Sequence, residues 1–292
     1  MRKTCLFPLL TIFCTLSVFS QQMVLKKGEI IENLSVNDST ENTYSIYIPK
    51  KFSMDKKWPL LMVFDTEGKD KSALSMFVIA TENEGYVLAA PKLADSVSLS
   101  KNMVLTSKTI ERVASLLPIQ GDRIYAAGED TGGQFASLVP ILIKGVNGAM
   151  SIGASLANRE LINMKEPFHF VGIVSKENYN YPFMLTDAKL LDRYKFPNQV
   201  LLYDGNGEWP GVSYIEKGMQ LFTLDAMGRQ WIPRDSTYIE RAYQEDLAKV
   251  NQLKSIGDLL WSEQYITEMM SMYGAFKNMD SLRSVQRDLR RN

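Results

Sequence analysis

Arg123-Ile-Tyr-Ala-Ala-Gly-Glu-Asp-Thr-Gly-Gly-Gln-Phe-Ala-Ser137 decides how the rest of the chain is read. Ile124 to Ala127 is a short apolar strand, and Thr131 to Leu142 is a helix that starts on small, close-packing residues. Between them Gly128-Glu129-Asp130-Thr131-Gly132 makes a sharp turn. Side chains at either flank of such a turn would collide with the strand or helix backbone, so the flanks are glycine. The turn lifts its central side chain, Asp130, to the top of the sheet. There it sits beside a helix N-terminus, where unpaired N–H groups collect.

Working outward, the chain of 292 residues opens Met1-Arg2-Lys3, followed by an apolar run from Cys5 to Phe19. Ser20, with Val18 at the third position back, offers a cleavage site. This is the pattern of a secretory signal over residues 1–20. The run is short of the ~20 apolar residues that a membrane span needs. The mature protein is therefore expected to be exported, periplasmic or extracellular, with no stable span after cleavage. Cys5 and Cys14 are the two cysteines, and both lie inside the signal. A mature chain from Gln21 has no disulfide, no thiol nucleophile and no thiolate metal site. With 33 basic and 33 acidic residues the formal charge is zero. There is no basic stripe interleaved with aromatics, which excludes nucleic acid as an expected partner.

Strand-like runs then alternate with helical ones. Tyr44 to Pro49 alternates and stops at proline, which suits an edge strand. Leu60 to Phe64 and Tyr86 to Ala90 are continuously apolar, as strands covered on both faces are. Val146 to Ile152, Phe168 to Val174 and Gln199 to Tyr203 continue the series. Helices are predicted over Ser72 to Thr81, Leu105 to Leu117, Tyr181 to Tyr194 and Gly211 to Met227. The alternation predicts an α/β fold, a mostly parallel sheet with helices on both faces, over residues 21–231. Residues 232–292 contain no strand-like run and predict a C-terminal α-helical appendage, with helices at Thr237 to Leu260, Ser262 to Tyr273 and Asp280 to Arg290. Met269, Met270, Met272, Tyr273 and Phe276 there suit either core packing or a partner surface.

Gly128 to Gly132 has the outline of the G-x-S-x-G nucleophile elbow with aspartate in place of serine. Together with Pro59 to Asp65, Val171 to Tyr181 and Tyr203 to Pro210, it resembles the α/β-hydrolase superfamily. The likeness is to secreted esterase-like members related to dienelactone hydrolases and polyester depolymerases. It covers roughly Tyr44 to Leu224. It implies a chain order of nucleophile, acid, base.

Carried over by register, the nucleophile position is Asp130, the acid position is Asn178 and the base position is Gly207. All three are substituted. The single histidine, His169, starts its strand, about 16 Å of extended chain from the end where the chemistry is expected. An elbow aspartate could form an ester as dehalogenases and epoxide hydrolases do, but that ester needs a base to drive water onto it. The resemblance also implies an oxyanion hole of backbone N–H groups at Thr131 and, after an early strand, at Thr66 or Glu67. Asp65, Glu67, Glu129, Glu177, Asp204 and Glu208 are expected to gather at the same strand ends. Acidic residues suit helix starts, and no metal-binding loop motif accompanies them, so no metal and no cofactor is assigned. The expectation is an exported binding or interaction module for a small molecule or a protein. The alternative is a divergent esterase-like hydrolase of ester or similar acyl substrates.

Overall fold

The computed structural model describes residues 25–37, 42–205 and 209–291. One sheet holds β1 (Ile30–Ser35), β2 (Thr43–Tyr47), β3 (Trp58–Phe64), β4 (Val87–Pro91), β5 (Ile119–Glu129), β6 (Val146–Ile152), β7 (His169–Ser175) and β8 (Asn198–Tyr203). The strand order is β1-β2-β4-β3-β5-β6-β7-β8. β1 and β2 run antiparallel to their neighbours, and all pairs from β4 to β8 are parallel.

The apolar runs become strands buried on both faces: every residue of β3, β4 and β7 is buried. Pro59 has no N–H to give a ladder, and the β3–β5 register shifts between Trp58 and Leu60 around it. Alternate residues of β3 enter different cores. Leu61 and Val63 pack with α1 (Asp70–Glu84) and α5 (Val212–Gly228). Leu60, Met62 and Phe64 pack with α2 (Leu99–Leu116) and α3 (Asp130–Leu142). The period of two along a strand thus sorts the helices onto two faces. α4 (Tyr181–Arg193) covers the second face farther along, over Phe170, Val174 and Val200.

Three sequence expectations need correction. β2 is interior rather than an edge, because β1 pairs on its outer side. Pro49 lies beyond the last paired residue and removes no ladder bond. α2 starts six residues before Leu105, at Leu99, where Ser100-Lys101-Asn102 interrupts its apolar periodicity. The break between the two helices predicted to end at Leu260 and start at Ser262 falls earlier, between α6 (Ser236–Ser255) and α7 (Leu259–Tyr273), at Gly257 with φ +80°.

α6, α7 and α8 (Asp280–Leu289) join the core of the first face through Ile239, Val250, Ile266, Met269, Met272, Tyr273 and Leu282. Asp246 of α6 ties α7 to α5: it accepts the hydroxyls of Tyr265 (2.9 Å) and Tyr273 (2.6 Å) and meets the Lys217 ammonium of α5 at 2.5 Å. A buried carboxylate is tolerated when its charge is paired and its oxygens are filled, as here. Glu268 Oε1 accepts the Val200 N–H of β8 (3.2 Å), so α7 covers the last strand's open edge. Among the described residues no helix is long and apolar enough to cross a membrane. The proposed signal, residues 1–20, lies outside the described residues.

Candidate functional site

The order β4-β3-β5 places the chain's change of direction between β3 and β5. In open α/β sheets the crevice at the carboxyl ends of such strands is where ligands bind. β3 delivers Asp65 to Lys69 there, and β5 delivers Glu129 and Asp130.

The elbow is sterically exacting. Asp130 holds φ +46°, the left-handed region that a residue with a β-carbon rarely adopts. A Cβ on Gly128 would stand 2.3 Å from the Gly132 carbonyl carbon, and one on Gly132 would stand 2.2 Å from Phe64 O. A Cβ on Gly133 would meet Ser151 Oγ at 2.8 Å and Gly128 O at 2.9 Å. Three glycines therefore let α3 start directly against β3 and β5.

Thr131 is the second residue of α3, where N–H groups have no intrahelical acceptor. Its hydroxyl bonds that of Thr66 at 2.9 Å, tying the two loops together. Asp65 Oδ1 accepts the N–H groups of Glu67 (2.9 Å) and Lys69 (2.8 Å). The Glu67 N–H is therefore committed to Asp65.

Asn178 reaches the elbow from the loop after β7. Asn178 Oδ1 accepts the Asn180 N–H (2.8 Å), which turns Nδ2 the other way. A Cβ on Gly153, at φ +70°, would lie 3.1 Å from Asp130 Oδ1 and 3.4 Å from Asn178 Nδ2. The acid-position amide thus presents its donor end to the spot beside the Asp130 carboxylate. A carboxylate at residue 178 would face a like charge there. Gly153 is itself tied down: its N–H donates to Ile173 O (2.8 Å), and its carbonyl accepts from Asn180 Nδ2 (2.7 Å).

Gly207 and Glu208 lie outside the described residues. Glu177 and Asp204 do not line the elbow cleft; Asp204 is 3.5 Å from Lys176, which also meets Asp258 of the α6–α7 turn at 3.2 Å. His169 is fully buried at the start of β7, its Nε2 against Gln199 Oε1 and its Nδ1 3.9 Å from Asp225 Oδ2. Burial, the main cause, holds its pKa below the usual value. The one imidazole of the chain is thus placed at the opposite end of the sheet from Asp130.

A cleft of about 300 Å³ opens at the elbow, walled by Asp65, Glu67, Lys69, Met76, Phe77, Glu129, Asp130, Thr131 and Trp209. That is the lower end of the size of small-ligand sites. Trp209 meets Phe77 edge-on at 5.7 Å and forms the apolar side. Opposite stand four carboxyl groups and one ammonium, Lys69, which is bonded to Glu67. Burial raises the Glu129 pKa, and the charges of Asp130 and Asp65 raise it further. Burial and then Glu129 and Asp130 also raise the phenol of Tyr203. Sequence reasoning missed Gly153 and Lys69. Gly153 had no signal apart from its place after a strand, and Lys69 had only its spacing from Glu67. Among the described residues no group of three or more His, Cys, Asp or Glu is arranged to hold a metal ion.

No protein-family model and no curated protein matches the sequence. Solved structures do match. S-formylglutathione hydrolase (FrmB) from Staphylococcus aureus superposes with a TM-score of 0.54 at 11% identity, over 68% of this chain and 99% of that one. Esterase B from Lactobacillus rhamnosis gives 0.55 at 14%, over 70% and 87%. An esterase from Pyrobaculum calidifontis gives 0.55 at 11%, over 69% and 86%. These likenesses, all at 14% identity or below, concern architecture, and the architecture they establish is the α/β-hydrolase fold.

Proposed function

We propose that this is an exported α/β-hydrolase-like protein that has lost ester hydrolysis and uses the elbow cleft to bind a small ligand. The observation that carries the reading is the position of Asp130, at the strained elbow and beside the Asn178 amide, with the chain's single histidine buried across the sheet. Serine-type hydrolysis needs an alkoxide precursor, a base in hydrogen-bond reach and a group to orient that base. An ester formed on Asp130 instead would lack the base that activates water. The carboxyls of Asp65, Glu129 and Asp130 facing an apolar wall suit a ligand with a positive charge or several N–H donors. The esterase neighbours favour the second reading, a divergent hydrolase that keeps the Thr66–Thr131 oxyanion donors.

Turnover of p-nitrophenyl acetate and butyrate separates the two. The purified protein is expected to hydrolyse neither above background, and Asp130→Ser alone is expected to add little, because triad members act as a unit. Asp130→Ser with Asn178→Asp and Gly207→His restores nucleophile, orienting acid and base, and is expected to recover measurable turnover. Efficient turnover by the unmodified protein, abolished by Asp130→Ala, would overturn the non-catalytic reading.

A further inference from the structure

A second and larger depression lies beside the elbow cleft. It is a groove of about 940 Å³ across the carboxyl ends of β3 and β4, between the β3–α1 loop and α2. Its floor is apolar, with Val97, Val104 and Leu105, and Val104 is 54% exposed. Three ammonium groups stand over it: Lys92 just after β4, and Lys101 and Lys108 on α2. Among the described residues none of the three has an ion-pair or hydrogen-bond partner. The one acid among the described lining residues, Glu67, is neutralised by Lys69.

In a chain with no net formal charge, three ammonium groups without a partner among the described residues thus gather along one apolar groove. Lys101 and Lys108 are two helical turns apart, about 10.5 Å along α2, with Val104 between them. A single small anion drawn between the two stems would leave Val97 and the third ammonium, Lys92, unanswered. An extended polypeptide can neutralise charges so separated: acidic side chains on one face repeat every ~6.6 Å, and the long lysine stems take up the mismatch. Its intervening apolar side chains would cover Val97 and Val104. The volume is also at the upper limit of small-molecule sites, ~1,000 Å³.

We propose that this groove docks an extended acidic segment of a partner protein, one that alternates carboxylate and apolar side chains. The inference is independent of whether the elbow cleft turns over esters, and the ester assays do not bear on it.

The test is fluorescence anisotropy with a fluorescein-labelled ten-residue peptide alternating Glu and Leu, at low and high salt. Saturable binding that weakens with salt is expected. Lys101→Glu with Lys108→Glu is expected to raise Kd about tenfold, the effect of reversing two exposed charges. Val104→Asp is expected to weaken binding severalfold. These are exposed positions, and unchanged circular dichroism and melting would establish that the fold is kept. Equal binding of the peptide with Gln in place of Glu, or an unchanged Kd in the double variant, would overturn the proposal. So would the absence of peptide binding alongside saturable binding of dodecanoate, which would make the groove a site for a fatty anion.

Discussion

Asp130 holds a backbone conformation that costs a residue with a β-carbon roughly 1–2 kcal/mol, at φ +46° beside the half-buried Glu129. Two unfavourable terms therefore meet at one position. Asparagine adopts the left-handed region more readily than most residues and carries no charge. Asp130→Asn is expected to raise the melting temperature at pH 7 and to lower the Glu129 pKa part of the way. Burial, the larger cause, remains in the variant. The sign follows from linkage. A carboxyl whose folded pKa is raised destabilises the fold as pH rises through it, so relieving that shift helps most above it. The gain should shrink as pH falls and Glu129 takes up its proton. A lower melting temperature at pH 7 would mean that the Asp130 carboxylate makes a stabilising contact.

At the scale of elements, α7 is fastened along the edge of β8 by a group that titrates. Glu268 accepts the Val200 N–H and a bond from Gln264, and burial pushes its pKa up to about 8. The folded protein thus holds a proton that the unfolded chain releases near the ordinary value of 4.5. Stability drawn from this group is complete below that value and is lost as pH rises toward about 8. Glu268→Gln keeps an acceptor for Val200 and removes the titration. Its melting temperature should match the parent near pH 4.5 and exceed it increasingly toward alkaline pH. A constant difference across the range would locate the proton elsewhere. Lys217 and Asp246, also at this seam, are paired with each other.

Across the whole molecule, the C-terminal helices and the sheet share one hydrophobic core rather than two. Deleting residues 236–291 would expose Leu221, Leu224 and Met227 of α5 and uncover the β8 edge. The truncated chain is expected to aggregate or melt far earlier in a thermal scan. A soluble monomer with unchanged melting would make the helices an independent module. Export belongs to this scale as well. The mature chain is expected to begin near Gln21, and N-terminal sequencing that finds Met1 retained would refute it. Both cysteines precede that point, so the mature protein's melting should be indifferent to reductant.

The sequence by itself determined whatever depends on residues close together in the chain. The turn was legible because Gly128 answers to local sterics: an added Cβ there would stand 2.3 Å from the Gly132 carbonyl carbon, whereas the 2.2 Å clash at Gly132 is with Phe64 O of β3 and belongs to the tertiary packing. The two-sided burial of β3, β4 and β7 was legible because an uninterrupted apolar run has no polar face to show water. Only the tertiary structure decided that Gly153 stands between the side chains of Asp130 and Asn178, and that Asp65 takes the N–H of Glu67. It alone placed β1 outside β2 and α7 along β8, and it alone gathered the ammonium groups of Lys92, Lys101 and Lys108 over a groove. These arrangements join residues tens of positions apart. Their partners are chosen by how the buried faces of the sheet and helices fit together, and no local pattern of residues records that choice.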